Sequence, residues 1–439
     1  MYSRMGKGAD AERMTNHLVP LPRAAKVYWI ATIVLTALAL LVVGIRRYFL
    51  HEGYPYNTLL FIPEVRFSDF TIYTERFKHF GTEAFFTSPG HPFTYPAPVA
   101  LAYAFFFRCF SHPLRAFLAT VLAASLIGGA LLARALRSAG ISKTVAGLLA
   151  LTVLLTSYPF IFLFDRANLE IAVWAVLACG LVAFARQRLW LAAGLIGIAG
   201  SMKFVPAIFL LLFLYRRRFF EFFFGVLTME GVTLVSLWWT GPTISIAQAG
   251  IQNGLDHFTY TYIDHWRASE IGFDHSLFGV IKDVLVRYRP ILPLDYLQHE
   301  YKTYAAVIAI LSIAIVLRLR RLPPLNQMVA LACCAMAFPP LSYDYTLIHL
   351  YVPFALLLLT TIRQQQAGRA EPFFLIRIFC YFAILFTPQS YLFRGTGTGF
   401  GAQVKAIVLL ALLAESLVRP LQGDEEVVSP RRLGEVSAP

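Results

Sequence analysis

A few polar side chains interrupt a chain otherwise made of long apolar stretches, and their types suit chemistry at a phosphate. Asp69 lies in Ser68-Asp69-Phe70-Thr71-Ile72-Tyr73, Arg166 and Asn168 in Asp165-Arg166-Ala167-Asn168, and Lys203 in Ser201-Met202-Lys203 between two apolar arms. Asp274 and His275 follow a long polar loop, Asp344 and His349 stand at a late span, and Arg394 sits in a Gly-rich turn. A carboxylate can deprotonate an acceptor hydroxyl. A guanidinium fork matches phosphate oxygens, and separated cations stabilise charge growing on a leaving phosphate.

Each residue also has a plainer use. Ser68 or Asp69 can cap a helix, after which Phe70, Tyr73, Phe77 and Phe80 recur at helical spacing as an amphipathic helix on the membrane surface. Asp165 and Arg166 can neutralise each other at a helix end, and Asn168 can cap the next span. Lys203 can snorkel to the interface. For His257, His265, Asp274, His275 and Asp344 no spacing rises above that of a polar loop, and His349 suits a structural histidine as well as a functional one.

The elements that must position these groups are membrane helices. Apolar residues make up 58% of the chain and charged ones 14%, against roughly one-quarter charged in soluble domains. An ionisable residue embedded in such blocks is a functional candidate by default. A span needs about 20 apolar residues, and candidates fall at 27–47, 115–134, 144–164, 168–185, 189–201, 203–215, 219–240, 302–317, 326–341, 346–361, 371–388 and 403–418. The net charge of +13 sits largely in loops on one side, from Arg134, Arg137 and Lys143 through Arg216-Arg217-Arg218 to Arg318, Arg320 and Arg321. That is the bias of cytoplasmic loops, so nucleic acid is not expected as a partner. The five cysteines are expected as buried small hydrophobes, and the N-terminal stretch from Lys26 to Ile45 as an uncleaved signal anchor.

The prolines at Pro96 and Pro98 open a short apolar piece at 96–110, and a full crossing there would put every later Arg cluster outside. It is expected as a re-entrant or tilted segment. The predicted fold class is an all-α polytopic membrane protein with about 12 transmembrane helices, that short segment and the amphipathic outer-loop helix. Its parts are a cytoplasmic tail 1–26, one transmembrane domain 27–418 with extracytoplasmic loops 48–95 and 241–301, and a cytoplasmic tail 419–439. Both termini are cytoplasmic on this reading, and the chemically equipped face lies outside the plasma membrane. The arms 189–201 and 203–215 span only about 18–20 Å at about 1.5 Å per residue, which keeps Lys203 below the outer surface, at the floor of a cavity.

These residues resemble the GT-C integral-membrane glycosyltransferases, and within them glycosyltransferase family 87, the polyprenyl-phosphate-mannose-type mannosyltransferases. The resemblance covers roughly residues 60–360. It is carried by Ser68-Asp69-Phe70-x-x-Tyr73, Thr94-Tyr95-Pro96-Ala97-Pro98, Arg166-Ala167-Asn168, Gly200-Ser201-Met202-Lys203-x-x-Pro206, Asp274-His275-Ser276-Leu277, and Asp344 with His349. The family's Tyr-Pro-Pro is Tyr95-Pro96-Ala97 here, and its Gly-Gln-x-Asn turn is Asp165-Arg166-Ala167-Asn168.

The resemblance implies a GT-C fold and an inverting hexosyl transfer, with Asp69 as base and polyprenyl phosphate leaving. On that reading Arg166, Lys203, His349 and Arg394 face the donor phosphate. Tyr73, Asn168, His275 and Asp344 face the sugar or a lipid or glycan acceptor. A monophosphate leaving group needs less charge neutralisation than a diphosphate, so no metal and no cofactor is expected. The rival expectations are a transporter or flippase for a lipid-linked sugar, and a ligase or polymerase using a lipid diphosphate donor.

Overall fold

The computed structural model describes residues 19–53, 66–264, 273–288, 294–388 and 401–421. Arg394, His265 and most of both tails lie outside the described residues. Apolar periodicity yields helices nearly throughout. α1 (Arg23–Gly44) comes first, followed by three single turns, α2 (Ser68–Thr71), α3 (Thr74–Phe77) and α4 (Ala84–Thr87). Then come α5 (Ala97–Cys109), α6 (Pro113–Ser138), α7 (Lys143–Thr156) and α8 (Tyr158–Arg166). Next are α9 (Glu170–Ala185), α10 (Leu189–Met202), and a 3-10 segment Val205–Leu210 running into α11 (Leu211–Tyr215). α12 (Phe219–Thr240) and α13 (Ile244–Phe258) precede α14 (Leu277–Tyr288) and α15 (Leu294–Leu319). α16 (Pro324–Ala337), a 3-10 segment Asp344–Leu350 leading into α17 (Tyr351–Gln366), α18 (Phe373–Phe386) and α19 (Gly401–Val418) complete the fold.

Among the described residues, six helical spans are long and apolar enough to cross a membrane, and the bent pair α7–α8 makes a seventh. α9, α10, Val205–Tyr215, α16 and α18 are shorter apolar helices. The chain is an all-α polytopic membrane protein. Ile30, Leu131, Phe220 and Ile310 are each at least 60% exposed, which puts α1, α6, α12 and α15 on the perimeter. Every residue of α16 from Leu325 to Ala337 is buried; Met328 to Ala337 are apolar on all sides, while Asn326 and Gln327 bond backbone carbonyls. Small residues let backbones meet inside: a Cβ on Gly197 of α10 would lie 2.3 Å from the Gly225 carbonyl of α12.

The basic turns gather at one end. Gln366 Nε2 donates to the Ala139 carbonyl at 2.9 Å, joining the α17 and α6 termini. Arg216 Nη1 donates to Gln187 Oε1 at 3.2 Å, and Arg318 Nε to the Leu417 carbonyl at 2.9 Å. α9 runs from Glu170 to the Arg186 turn at this end, about 24 Å away at about 1.5 Å per residue. The candidate chemistry therefore occupies the opposite end.

Several expectations change. The predicted span 144–164 is broken at Ser157 by 46°, because Pro159 cannot donate to the helix ahead of it. Ser157 caps the second piece, accepting from Phe160 N. The 241–301 loop is largely helical, as α13, α14 and the start of α15. The stripe Phe70, Tyr73, Phe77 and Phe80 exists, but it is split between α2 and α3 and faces protein rather than a membrane surface. Phe70 and Phe77 stack on Phe107 of α5 at 4.7 and 4.8 Å between ring centres, and a helical apolar stripe reads the same against either neighbour. Cys333 and Cys334 are buried as expected, whereas Cys109 and Cys179 are exposed.

Candidate active site

Two backbone strains place the first cluster. Ala167 ends α8 in the left-handed region at φ 50°, which turns Arg166 and Asn168 to one side. Phe67 adopts φ 57°, and its N–H donates to the Asp165 carbonyl at 2.7 Å, docking the α2 segment onto the end of α8. Such conformations in non-glycine residues persist only where surroundings hold them, often at functional sites.

Asp69 does not cap α2, whose N-cap Phe67 lends no side-chain bond. Its carboxylate instead pairs with the Arg166 guanidinium through Oδ1 and accepts from Asn168 Nδ2 at 2.7 Å through Oδ2. Asn168 Nδ2 also reaches the Tyr95 hydroxyl at 3.1 Å, and Tyr103 donates its hydroxyl to the Asp69 carbonyl at 2.9 Å. The expected Asp165–Arg166 neutralisation does not form, since Asp165 pairs with Arg66 at 3.4 Å.

A second cluster adjoins the first and centres on Glu170, which the sequence reading missed. Lys203 Nζ pairs with Glu170 Oε2, and His349 Nε2 donates to Oε1 at 2.6 Å. Lys203 occupies extended backbone between α10 and the 3-10 segment, and its ammonium also lies 5.6 Å from the centre of the Tyr345 ring. His349 Nδ1 is buried without a partner. The Glu170 N–H donates to Asn168 Oδ1 at 2.9 Å, so Asn168 joins the two clusters.

A third cluster is sealed. Asp344 meets Lys405 of α19 at 2.8 Å and His275 Nδ1 at 3.2 Å, while His275 Nε2 lies 3.1 Å from Ser342 Oγ. The strand-like pairing of Asp274 with Tyr343 brings these two distant loops together. Burial pushes the Asp274 carboxyl above its usual range, and its Oδ1 accepts the N–H groups of Ser276 and Ser342.

Exposure sorts the residues. The side chains of Asp69, Arg166 and Lys203 are 13%, 16% and 25% exposed, whereas those of Glu170, His349, Asp344, His275 and Lys405 are at most 2%. Tyr73, Asn168, His275 and Asp344, expected at the sugar or acceptor, are buried. Burial pushes the Tyr73 phenol well above its usual value, and it bonds Thr94 Oγ1 at 3.0 Å. His349, expected at the donor phosphate, is bonded to Glu170, as Lys203 is. Aromatic and polar residues in turns look alike in a sequence whether they line a site or brace it.

Both missed residues carried a signal. Glu170 opens the apolar block 168–185 and Lys405 lies inside 403–418, so each is an ionisable residue embedded in a span.

The family model of glycosyltransferase family 87 matches residues 93–343, more than half of the chain, and takes in Arg166, Asn168, Glu170 and Lys203. Among curated proteins none matches. A polytopic helical membrane protein fits that match, and the chain belongs to glycosyltransferase family 87, a family of membrane glycosyltransferases.

Proposed function

We propose that this membrane glycosyltransferase moves a hexose, mannose in the first instance, from a polyprenyl-phosphate donor to an acceptor hydroxyl by inverting single displacement. The observation that carries the reading is the Asp69 carboxylate, held at both oxygens yet 13% exposed. A carboxylate offers about four lone-pair sites. Arg166 and Asn168 occupy two of them, which leaves sites free to take a proton.

In the proposed step the acceptor oxygen bonds the anomeric carbon as the bond from that carbon to the phosphate oxygen breaks. The acceptor proton passes to Asp69, and polyprenyl phosphate departs with one more negative charge than it had as a diester. Of Arg166, Lys203 and Lys405, Lys203 has the most exposed side chain, and we assign it to that phosphate. Arg166 then serves chiefly to aim Asp69. The step proceeds on the extracytoplasmic face, with the basic end of the bundle in the cytoplasm.

The test uses purified protein in lipid with radiolabelled polyprenyl-phosphate mannose, glucose or arabinose and an acceptor extract. Transfer of label from the mannosyl donor, abolished in Asp69→Asn, is the expected result. Transfer only from a diphosphate donor would replace this reading with that of a ligase.

A further inference from the structure

α12 carries a carboxylate where a membrane helix tolerates one least. Its ends are marked by the Arg216-Arg217-Arg218 turn and by Trp238 and Trp239, which are 65% and 62% exposed. Basic residues and tryptophans of this kind sit at the two interfaces. From Arg218 to Trp238 the rise is about 30 Å at about 1.5 Å per residue, the thickness of the hydrocarbon layer. Glu230 stands about 18 Å from the first mark and about 12 Å from the second by the same rise. A glutamate side chain is far too short to reach either interface.

Glu230 faces outward. It is exposed, and it continues a stripe of Phe223, Leu227, Leu234 and Trp238, which are 60%, 69%, 54% and 65% exposed. Among the described residues it has no hydrogen-bond or ion-pair partner. Its neighbour Gly231 is also exposed, and a Cβ there would meet nothing within 4 Å. An unsatisfied carboxyl in hydrocarbon is costly, and small residues beside it let another helix approach closely.

We propose that α12 is the contact face of a twofold dimer of this chain, in which the Glu230 carboxyls of two copies hydrogen-bond each other where the helices cross at Gly231. A neutral carboxyl has one donor and a free acceptor, so two of them satisfy each other without a third group. A twofold axis brings identical residues together at identical depth. Lys302, an exposed cation on α15, stands about 24 Å from Arg318 at about 1.5 Å per residue, nearer the opposite interface. The large apolar residues above and below Glu230 would then pack as its flanks. The dimer does not depend on the assignment of Asp69 or Lys203.

The experiment counts copies of the full chain, fluorescently labelled and reconstituted in lipid vesicles at graded protein-to-lipid ratios. The wild type should pass from monomer to dimer as the ratio rises. Glu230→Leu should weaken that association about tenfold, the scale of an interhelical polar contact, while transfer per chain persists. Glu230→Gln should retain most of it, because a carboxamide is also self-complementary. Cysteines replacing Leu227 or Leu234 in a background freed of the native cysteines should crosslink copy to copy. A wild type that stays monomeric at every ratio, an undiminished dimer in Glu230→Leu, or crosslinking through α6 or α15 instead would each overturn the proposal.

Discussion

Replacing Lys203 by methionine removes one of two partners from a carboxylate whose side chain is only 1% exposed. Breaking a buried pair from one side costs about 3–5 kcal/mol when nothing else holds the stranded charge. His349 still donates to Glu170 at 2.6 Å, so the cost of Lys203→Met should fall to about 2–3 kcal/mol. Glu170→Gln strands the ammonium instead, but that group is 25% exposed and lies against the Tyr345 ring. Solvent and the ring together should limit this cost to about 1–2 kcal/mol. The double variant leaves no stranded charge and should lose about 1 kcal/mol, a coupling of about 2–4 kcal/mol. Equilibrium unfolding in mixed micelles measures all four corners of the cycle. Additive losses would refute the pairing and leave Lys203 as a snorkelling residue. Donor binding separates structure from function. If Lys203 contacts the phosphate, both variants lacking it lose polyprenyl-phosphate binding, and the otherwise stable double variant is the decisive one. Binding that tracks stability alone would confine Lys203 to the scaffold.

Asp69→Asn should lower initial transfer rates by about 10²–10⁴, the usual worth of a general base, with donor binding retained in a direct assay. Unchanged rates would remove Asp69 from the reaction. Lys405→Met leaves Asp344 with His275, a longer contact at 3.2 Å, in a cluster of no more than 1% side-chain exposure, so it should cost about 2–4 kcal/mol in micelle unfolding. Lys405→Met with Asp344→Asn should recover much of that loss. Cysteines at Glu75 and Gln252, both exposed, should react from outside with an impermeant thiol reagent in a cysteine-free background, and cysteines beside Arg217 and Arg320 should not. Outside labelling at Arg217 would invert the topology.

The long helices were legible because their physics is local. α12 spans 219–240 as the apolar run does, and the basic turns that limit α9, α10 and α11 were visible as Arg186, Arg188 and Arg216. The bend at Ser157 was less legible, since 144–164 is uniformly apolar and only Pro159 hints at the break. The direction in which a stripe faces was not legible at all. Phe70, Tyr73, Phe77 and Phe80 have the spacing of a membrane-surface helix. What buries them is α5, with Tyr103, Phe106 and Phe107, and contact between segments so far apart is a property of the tertiary fold.

The site was legible in its members and not in its pairings. Asp69, Arg166, Asn168, Lys203 and His349 were each recognisable by type and position, but the sequence left Arg166 between Asp165 and a phosphate, and Lys203 between the membrane interface and a phosphate. The structure gives Arg166 to Asp69 and Lys203 to Glu170. Those exchanges create continuity. Asn168 bonds Asp69 with its amide N–H and the Glu170 backbone with its carbonyl. Glu170 reaches His349, which shares the 3-10 segment Asp344–Leu350 with Asp344. Asp344 reaches Lys405 on the last helix, well beyond the residues matched to the family. Asp69, Glu170 and Asp344 are each held by a cation from a different element, so a shift of one segment strands a charge on another. Rigidity of this kind is what the base proposed at Asp69 would require, because reach and alignment decide whether a base acts. The deeply buried acids thus hold in place the only acid in the three clusters with substantial exposure, and loss of Lys405 should be felt at Asp69 through five intervening contacts or fewer.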